Sequence, residues 1–194
     1  MLKSGDSIEN PVTGQRILFC RLAPDTHGAF VEVEYFDKPF MGKGAAPAHF
    51  HPTFTERFEI LAGRARYRLG KVEHDTQAGA LLTFPPGAPH LHPWSISAEE
   101  LHVRQTTIPE RPDVAALEAA GAPLVTLFGL ARDGKVNKDG LPNLLQLAVL
   151  VHSMMPYSYL EGMPIPVQHV VFGAMAALGR ALGYRARYPR YNSV

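Results

Sequence analysis

A chain of 194 residues with 46% hydrophobic and 19% charged residues has the composition of a globular, soluble protein with one buried core and an additional segment. Its formal net charge of +1 gives no general field that would attract nucleic acid or acidic partners, and its single cysteine, Cys20, excludes an intrachain disulfide framework. Residues 1–6 lack the apolar core of a signal peptide, so we expect a cytoplasmic protein.

The N-terminal half reads as a series of short strands separated by turn residues. Residues 1–14 are polar and predict a leading arm, and residues 15–22, which contain Cys20 as an expected buried thiol, predict the first strand. In residues 30–36 apolar and polar side chains alternate, which predicts a second strand with Glu32 and Glu34 facing solvent. Further strands are predicted at residues 64–69, 71–76, 80–84, 90–96 and 100–108. Short strands at this spacing favour an antiparallel sandwich or barrel.

Residues 49–56 bring three side chains of metal-ligating type together. Successive side chains of a strand point to opposite faces, so His49 and His51 share one face, about 7 Å apart at the backbone. A short loop then brings Glu56, an oxygen donor, to the start of the next apolar segment. Because histidine is the commonest metal ligand, these side chains can converge on a single ion.

A third histidine follows in a second motif. Residues 79–84 predict a strand, Pro85-Pro86-Gly87 predict a turn, and His90 lies on the returning strand. His92 lies on the same strand face as His90, where it either lines the cavity or has a purely structural role. The remaining histidines are expected to be structural or exposed: His27 and His74 in turns, His152 and His169 in apolar helices, and His102 in a surface row.

Both motifs resemble the sequence signatures of the cupin family. The first signature is matched by His49-x-His51, four residues, Glu56, six residues and Gly63; the second is matched by Gly79, five residues, Pro85-x-Gly87, two residues and His90. The second departs from the family pattern at Trp94, where many cupins carry an asparagine that is not a metal ligand. The resemblance covers roughly residues 15–108. It implies a mainly β fold in which residues 1–108 form an antiparallel barrel of the double-sheet jelly-roll type.

Four donors, His49, His51, Glu56 and His90, form the candidate metal site. Three imidazoles and one carboxylate suit divalent Fe, Mn, Co, Ni, Cu or Zn, and the ligand types do not select among these ions. The alternative is a cupin pocket that holds an organic ligand without a metal. Four protein ligands leave open positions on an ion that prefers five or six, and these positions would admit substrate, water or dioxygen.

We expect a metalloenzyme that acts on a small organic molecule in an apolar barrel. The resemblance to metal-bearing cupins implies oxygenases, isomerases, lyases and cyclases, among which a dioxygenase is slightly favoured. Glu56 is then either a ligand throughout or a carboxylate that leaves the ion to act as a catalytic base. The alternative is a non-catalytic domain that senses a small ligand. Nucleic acid is not expected as a partner in either case.

Residues 109–194 lie outside the cupin motifs and predict a helical extension. A helix is predicted from a cap at Asp113 towards Leu130, with a break at Gly121-Ala122-Pro123, and two more at residues 144–155 and 167–182. A bilayer span needs roughly 20 apolar residues, so no transmembrane segment is expected. The apolar helices must nevertheless be covered by the barrel, by a second chain in a homodimer, or by a membrane surface. We expect protein to cover them rather than lipid.

Overall fold

The computed structural model describes residues 2–43 and 47–191, and it confirms the expected mainly β fold with a helical C-terminal part. Residues 44–46, in the glycine-rich segment before His49, lie outside the described residues. The strands are β1 (Ser7–Glu9), β2 (Arg16–Arg21), β3 (Val31–Asp37), β4 (His49–Phe50), β5 (Phe54–Ala62), β6 (Arg64–Leu69), β7 (Val72–Gln77), β8 (Leu81–Phe84), β9 (His90–Ser95), β10 (Leu101–Pro109) and β11 (Tyr159–Leu160). The helices are α1 (Val114–Arg132), α2 (Leu144–Met154) and α3 (Ile165–Ala181).

Two antiparallel sheets form the double-sheet barrel. Over the described residues, one sheet has the order β1-β2-β3-β10-β5-β8 and the other has the order β11-β4-β9-β6-β7. The candidate ligands are divided between the sheets: Glu56 lies on β5 of the first, and His49 and His90 lie opposite each other on β4 and β9 of the second. The candidate site therefore lies where the two sheets face each other.

The alternation of β5 shows how the sequence builds the barrel interior. Phe54, Glu56, Phe58 and Ile60 are buried, whereas the side chain of Glu59 points to the outer face and pairs with Arg104. Fully burying a side chain such as Phe58 contributes about 1.5–3 kcal/mol. Glu56 thus occupies an inward position between apolar residues, and this arrangement is stable only if the carboxylate has partners of its own.

Helix α1 is continuous, and the predicted break at Pro123 is wrong. Asp113 caps the helix as expected, because its carboxylate accepts a hydrogen bond from the Ala116 amide. A proline inside a helix costs about 3 kcal/mol. On the C-terminal side of Pro123, however, Val125 and Phe128 are buried in the same apolar core as the strands of the first sheet. Tertiary packing outweighs the local preference.

The unbroken α1 has 19 residues and a mean hydropathy of 1.7 over its most apolar window, so its length and composition alone would allow it to cross a membrane. Half of that window is buried within the fold, as is usual for a core helix. The prediction of no transmembrane segment rested on the two later apolar helices, which are too short and too interrupted to span a bilayer. Because half of this window is buried in the fold, its length and hydropathy do not strongly indicate a transmembrane segment.

Helices α2 and α3 form a pair beside the barrel. They approach closely at Gly179, where an added Cβ would lie 2.9 Å from Val149 Cγ2. The opposite side of α3 is exposed and apolar: Val170 is 72% exposed and Leu178 is 55% exposed. The sequence implies that the apolar helices must be covered by protein or lipid, and within the structure this inference applies to one face of α3.

Three further expectations need correction. The polar leading arm contains β1, whose Ile8 is buried opposite Ile17. Cys20 is half-buried rather than buried, because it lies on the outward-facing side of β2. Glu34 is paired rather than simply solvated, since its carboxylate contacts His102 at 2.7 Å and Arg104 at 2.9 Å.

Candidate metal centre

Five side chains converge between the two sheets. Each of His49, His51, Glu56, His90 and His92 offers one ligand atom, and these atoms all lie within 4.8 Å of one another. The cluster could hold a metal ion. Four of its members are the donors that the sequence motifs predict, and His92 is an addition. The signal for His92 was present in the sequence, because His90 and His92 share one face of β9 by alternation.

The Nδ1 atoms of three histidines face backbone carbonyls. His49 Nδ1 lies 3.1 Å from the Pro47 oxygen, His51 Nδ1 lies 2.9 Å from the Tyr157 oxygen, and His90 Nδ1 lies 2.9 Å from the Ala88 oxygen. A carbonyl oxygen can only accept, so each Nδ1 must carry the hydrogen. In a neutral ring the lone pair is then on Nε2, which is the atom left for a metal.

The Nε2 atoms of His51 and His90 support this assignment. Both are buried, and among the described residues neither makes a hydrogen bond of good geometry, although Glu56 Oε2 lies 3.0 Å from the His90 atom and 3.5 Å from the His51 atom. Buried polar atoms in folded proteins are nearly always satisfied, and an unsatisfied one costs about 1–3 kcal/mol. Two such atoms beside one carboxylate oxygen form a place that could hold a cation.

Glu56 completes the donor set with one of its two oxygens. Its Oε2 lies 3.0 Å from His90 Nε2, 3.2 Å from His92 Nε2 and 3.5 Å from His51 Nε2. A lone pair on Nε2 and a carboxylate oxygen repel each other at such distances unless a proton or a cation lies between them. The other oxygen, Oε1, accepts a hydrogen bond of 2.7 Å from Gln105 Nε2, which fixes the orientation of the carboxylate.

The electrostatics of the cluster also suit a divalent ion. Burial, and then the neighbouring imidazoles, hold the pKa of His49 well below its ordinary value, and burial also lowers the pKa of His51. Burial alone would raise the pKa of Glu56, but His92 and His51 and the hydrogen bonding around it hold that pKa well below the usual range. The lowered pKa values of His49 and His51 favour neutral imidazoles there, and that of Glu56 favours an ionised carboxylate, so these three donors need lose no proton before they bind a metal.

Aromatic side chains form the wall behind the cluster. Phe84 stands 4.9 Å from the His90 ring, and Phe58 stands 4.9 Å from the His92 ring, between ring centroids. Both phenylalanines are almost completely buried. The opposite side is more open, because the His92 side chain is 32% exposed and part of the His49 surface also reaches solvent. A small molecule would approach the cluster from this side.

Comparisons with known proteins agree with the motifs. Residues 40–104 match the family model of the cupin domain. A protein with a double-stranded beta-helix domain from Klebsiella pneumoniae is similar in structure, at 20% identity and a TM-score of 0.38, over 44% of this chain and 72% of that one. A predicted oxalate decarboxylase from Thermotoga maritima aligns at 16% identity and a TM-score of 0.45, over 56% of this chain and 98% of its own.

The polyketide cyclase RemF from Streptomyces resistomycificus aligns at 22% identity and a TM-score of 0.41, over 51% of this chain and 68% of its own. No curated protein sequence matches the chain. The structural similarities are partial, and the functions named for them differ, so they indicate no particular reaction.

Proposed function

Because residues 40–104 match the family model of the cupin domain, we propose that this chain binds one divalent transition metal through His49, His51, Glu56 and His90 and acts as a metalloenzyme on a small organic molecule. The observation that carries the proposal is the pair of buried Nε2 atoms of His51 and His90, which make no hydrogen bond of good geometry and converge on one oxygen of the Glu56 carboxylate. The ion could be Fe, Mn, Ni, Co, Cu or Zn, since each accepts imidazole and carboxylate ligands. When bound, it would supply Lewis-acid polarisation of a substrate oxygen.

The protein groups have distinct tasks in this proposal. The backbone carbonyls at Nδ1 hold the imidazole rings in the tautomer that presents Nε2. Gln105 holds one oxygen of Glu56, so the carboxylate must break that bond before it can turn away from the cluster. Glu56 is therefore better suited to be a fixed ligand, and proton uptake at its Oε2 requires a partner nearby. His92, whose Nε2 lies 3.2 Å from that oxygen, is the group placed to exchange a proton with it or to serve as a fifth donor.

Among the reactions, we propose a dioxygenase as the first to test, and isomerase or cyclase chemistry as the next. Substrate-dependent consumption of dioxygen by the Fe-loaded chain, measured against a panel of phenols, keto acids and sugar acids, would support the oxygenase. Conversion of one of these compounds without oxygen uptake would support an isomerase or cyclase. Binding of a compound without any conversion would support the sensing alternative.

One observation favours that alternative. Helix α3 carries an exposed apolar face, and Gln168 on the same helix bonds the backbone of β11, which pairs with the strand of His49. A ligand at the cluster could therefore influence a surface that is suitable for contact with a partner. The proposed sensor would transmit occupancy of the barrel through this contact rather than transform the ligand.

Metal binding is tested first, because both the dioxygenase and the isomerase or cyclase proposals require a bound metal. The full chain is stripped with a chelator, offered each of the six ions, and examined by elemental analysis and competitive titration. One ion per chain is expected. His51→Ala and His90→Ala should each weaken binding by more than the roughly 10–100-fold that loss of a supporting residue costs.

His74→Ala is the matched control, because His74 is an exposed histidine on β7 and lies outside the cluster. It should bind as wild type does. A wild-type chain that binds none of the six ions would refute the proposal, and equal losses in the control and in the cluster variants would show that the cluster has no special role.

A further inference from the structure

The strand that contains His49 and directly precedes His51, β4, is held on one side by the C-terminal extension. After α2, residues 155–161 cross the open edge of β4, and we call this segment the strap. Within it, β11 pairs with β4 in antiparallel register, with Tyr159 opposite Phe50 and Leu160 opposite His49. The Glu161 amide then donates a hydrogen bond of 2.9 Å to the Ala48 carbonyl.

The strap also contacts His51 directly. The Tyr157 carbonyl accepts the hydrogen bond from His51 Nδ1 at 2.9 Å. The Tyr157 ring stacks on Phe54, with centroids 5.8 Å apart and an interplanar angle of 4°, and Phe54 in turn stacks on the His51 ring at 5.7 Å. His51 is thus positioned by a backbone group and an aromatic stack that both depend on the strap.

Without the strap, little would hold β4 in place. This strand has two residues, and its described pairing with β9 on the other side is the single pair His49 and His90. A two-residue strand with one pair has few hydrogen bonds to oppose fraying. The geometry of His49 and His51 therefore depends on contacts from a segment about one hundred residues further along the chain, since His51 and Tyr157 are separated by 106 positions.

We propose that the strap is part of the metal site and that Gln168 is the positioning residue which holds it there. Gln168, on α3, is fully buried with 0% exposure. Its Oε1 accepts from the Leu160 amide at 2.9 Å, and its Nε2 donates to the Leu160 carbonyl at 2.9 Å and to the Met163 carbonyl at 2.7 Å. Its amide thereby satisfies the outer edge of β11, where backbone groups would otherwise be unpaired.

A second anchor acts at the end of the strap. Glu161 forms an ion pair with Arg68 of β6, which fastens the strap to the same sheet beyond β9. Gln168 is therefore the anchor towards α3, and Glu161 is the anchor towards the barrel. Loss of the Gln168 amide should release β11 and let the Tyr157 carbonyl move away from His51. The ring of His51 would then lose the bond that fixes its tautomer and direction.

The inference rests on the proposed metal binding, and the test compares two buried glutamines in the full chain. Gln168→Ala removes the anchor of the strap. Gln146→Ala is the matched control, because Gln146 is 1% exposed on α2 and its side chain bonds the Arg185 carbonyl at 2.9 Å and the Tyr188 hydroxyl, not the strap, within the described part of the chain. Both variants should lower thermal stability. Of these two variants, only Gln168→Ala should weaken Co(II) binding, by about 10–100-fold, and alter the visible spectrum of bound Co(II).

Tyr157→Ala is the second variant, which removes the stack on Phe54 and keeps the backbone carbonyl. It should also weaken Co(II) binding, with the same spectral change, and it keeps the inference testable should Gln168→Ala not fold. Wild-type affinity in both folded strap variants, or an equal loss in Gln146→Ala, would overturn the inference while metal binding itself stands. A wild-type chain that binds neither Co(II) nor any of the other five ions would overturn the proposed function and this inference together.

Discussion

Replacement of Asp37 by asparagine measures how much the barrel is destabilised by a buried charge. Asp37 ends β3, is 1% exposed, and accepts a hydrogen bond of 2.8 Å from Gln15 Nε2. Burial raises its pKa from 3.8 to about 6, although hydrogen bonds from Gln15 and the Ser95 backbone act in the opposite direction. In the unfolded chain the carboxyl group has an ordinary pKa of about 3.9.

The magnitude follows from this difference in pKa. Roughly two pKa units correspond to about 3 kcal/mol, since each unit is worth about 1.4 kcal/mol. Because the folded pKa is the higher one, the folded state binds more protons between about pH 4 and pH 6, and the free energy of unfolding falls as the pH rises through that window. Above about pH 6 the wild type carries the whole penalty, whereas below about pH 4 it carries none.

Asp37→Asn has no titrating group at this position. Its free energy of unfolding relative to the wild type should therefore rise by about 3 kcal/mol between pH 4 and pH 7.

The assay is urea unfolding of the chelator-treated chain at several pH values from 4 to 7 and at constant ionic strength. Asp139→Asn is the control, since Asp139 is exposed in the loop before α2. The difference between the control and the wild type should stay constant with pH. Parallel wild-type and Asp37→Asn curves over the whole window would refute the argument that burial of this carboxyl destabilises the folded state at neutral pH.

Two other outcomes are expected. Glu56→Gln should bind metal more weakly. Its activity per bound metal should equal that of the wild type if Glu56 is only a ligand, and should fall by roughly 100-fold if Glu56 also moves protons. Glu59→Gln, on the outer face of β5, should leave the metal content unchanged, and a loss of metal in this variant would contradict the alternation argument. We propose that the exposed face of α3 is covered in a homodimer; Leu178→Asp on α3 should then give a monomer in sedimentation, whereas Leu81→Asp, at a 78% exposed position of β8, should leave the wild-type mass unchanged. A wild-type chain that is already monomeric and sediments with anionic vesicles would instead favour the membrane surface as the cover of α3.

Local rules predicted much of the barrel. Alternation predicted that His49 and His51 share one face and that a short loop brings Glu56 to them; all three lie in one cluster, although β4 ends at Phe50, before His51. The fixed spacing to His90 followed from the turn at Gly87, whose positive φ of 77° suits glycine. The same alternation could have included His92. Whether His92 belongs to the cluster depends on its distance from Glu56 across the barrel, and the residue pattern of a single strand carries no information about that distance.

The failures have a common cause in long-range packing. At Pro123 the local rule predicted a helix end, but burial of Val125 and Phe128 against the barrel decided the outcome. β1 and β11 have three and two residues, so neither shows a periodic pattern long enough to recognise. The Tyr157 carbonyl belongs to the backbone, and no residue type marks it as a partner of His51.

The separation of 106 positions between His51 and Tyr157 has a consequence for biosynthesis. A ribosome makes the chain from its N-terminus, and domains generally begin to fold in that order. The part of the chain that contains every candidate ligand leaves the ribosome well before the segment that orients His51, and Gln168 follows later still. Closing so long a loop is also slow compared with formation of a hairpin. Metal that binds tightly should therefore be acquired after the chain is complete, and a nascent chain stalled before residue 155 should retain ions poorly even when its barrel has formed.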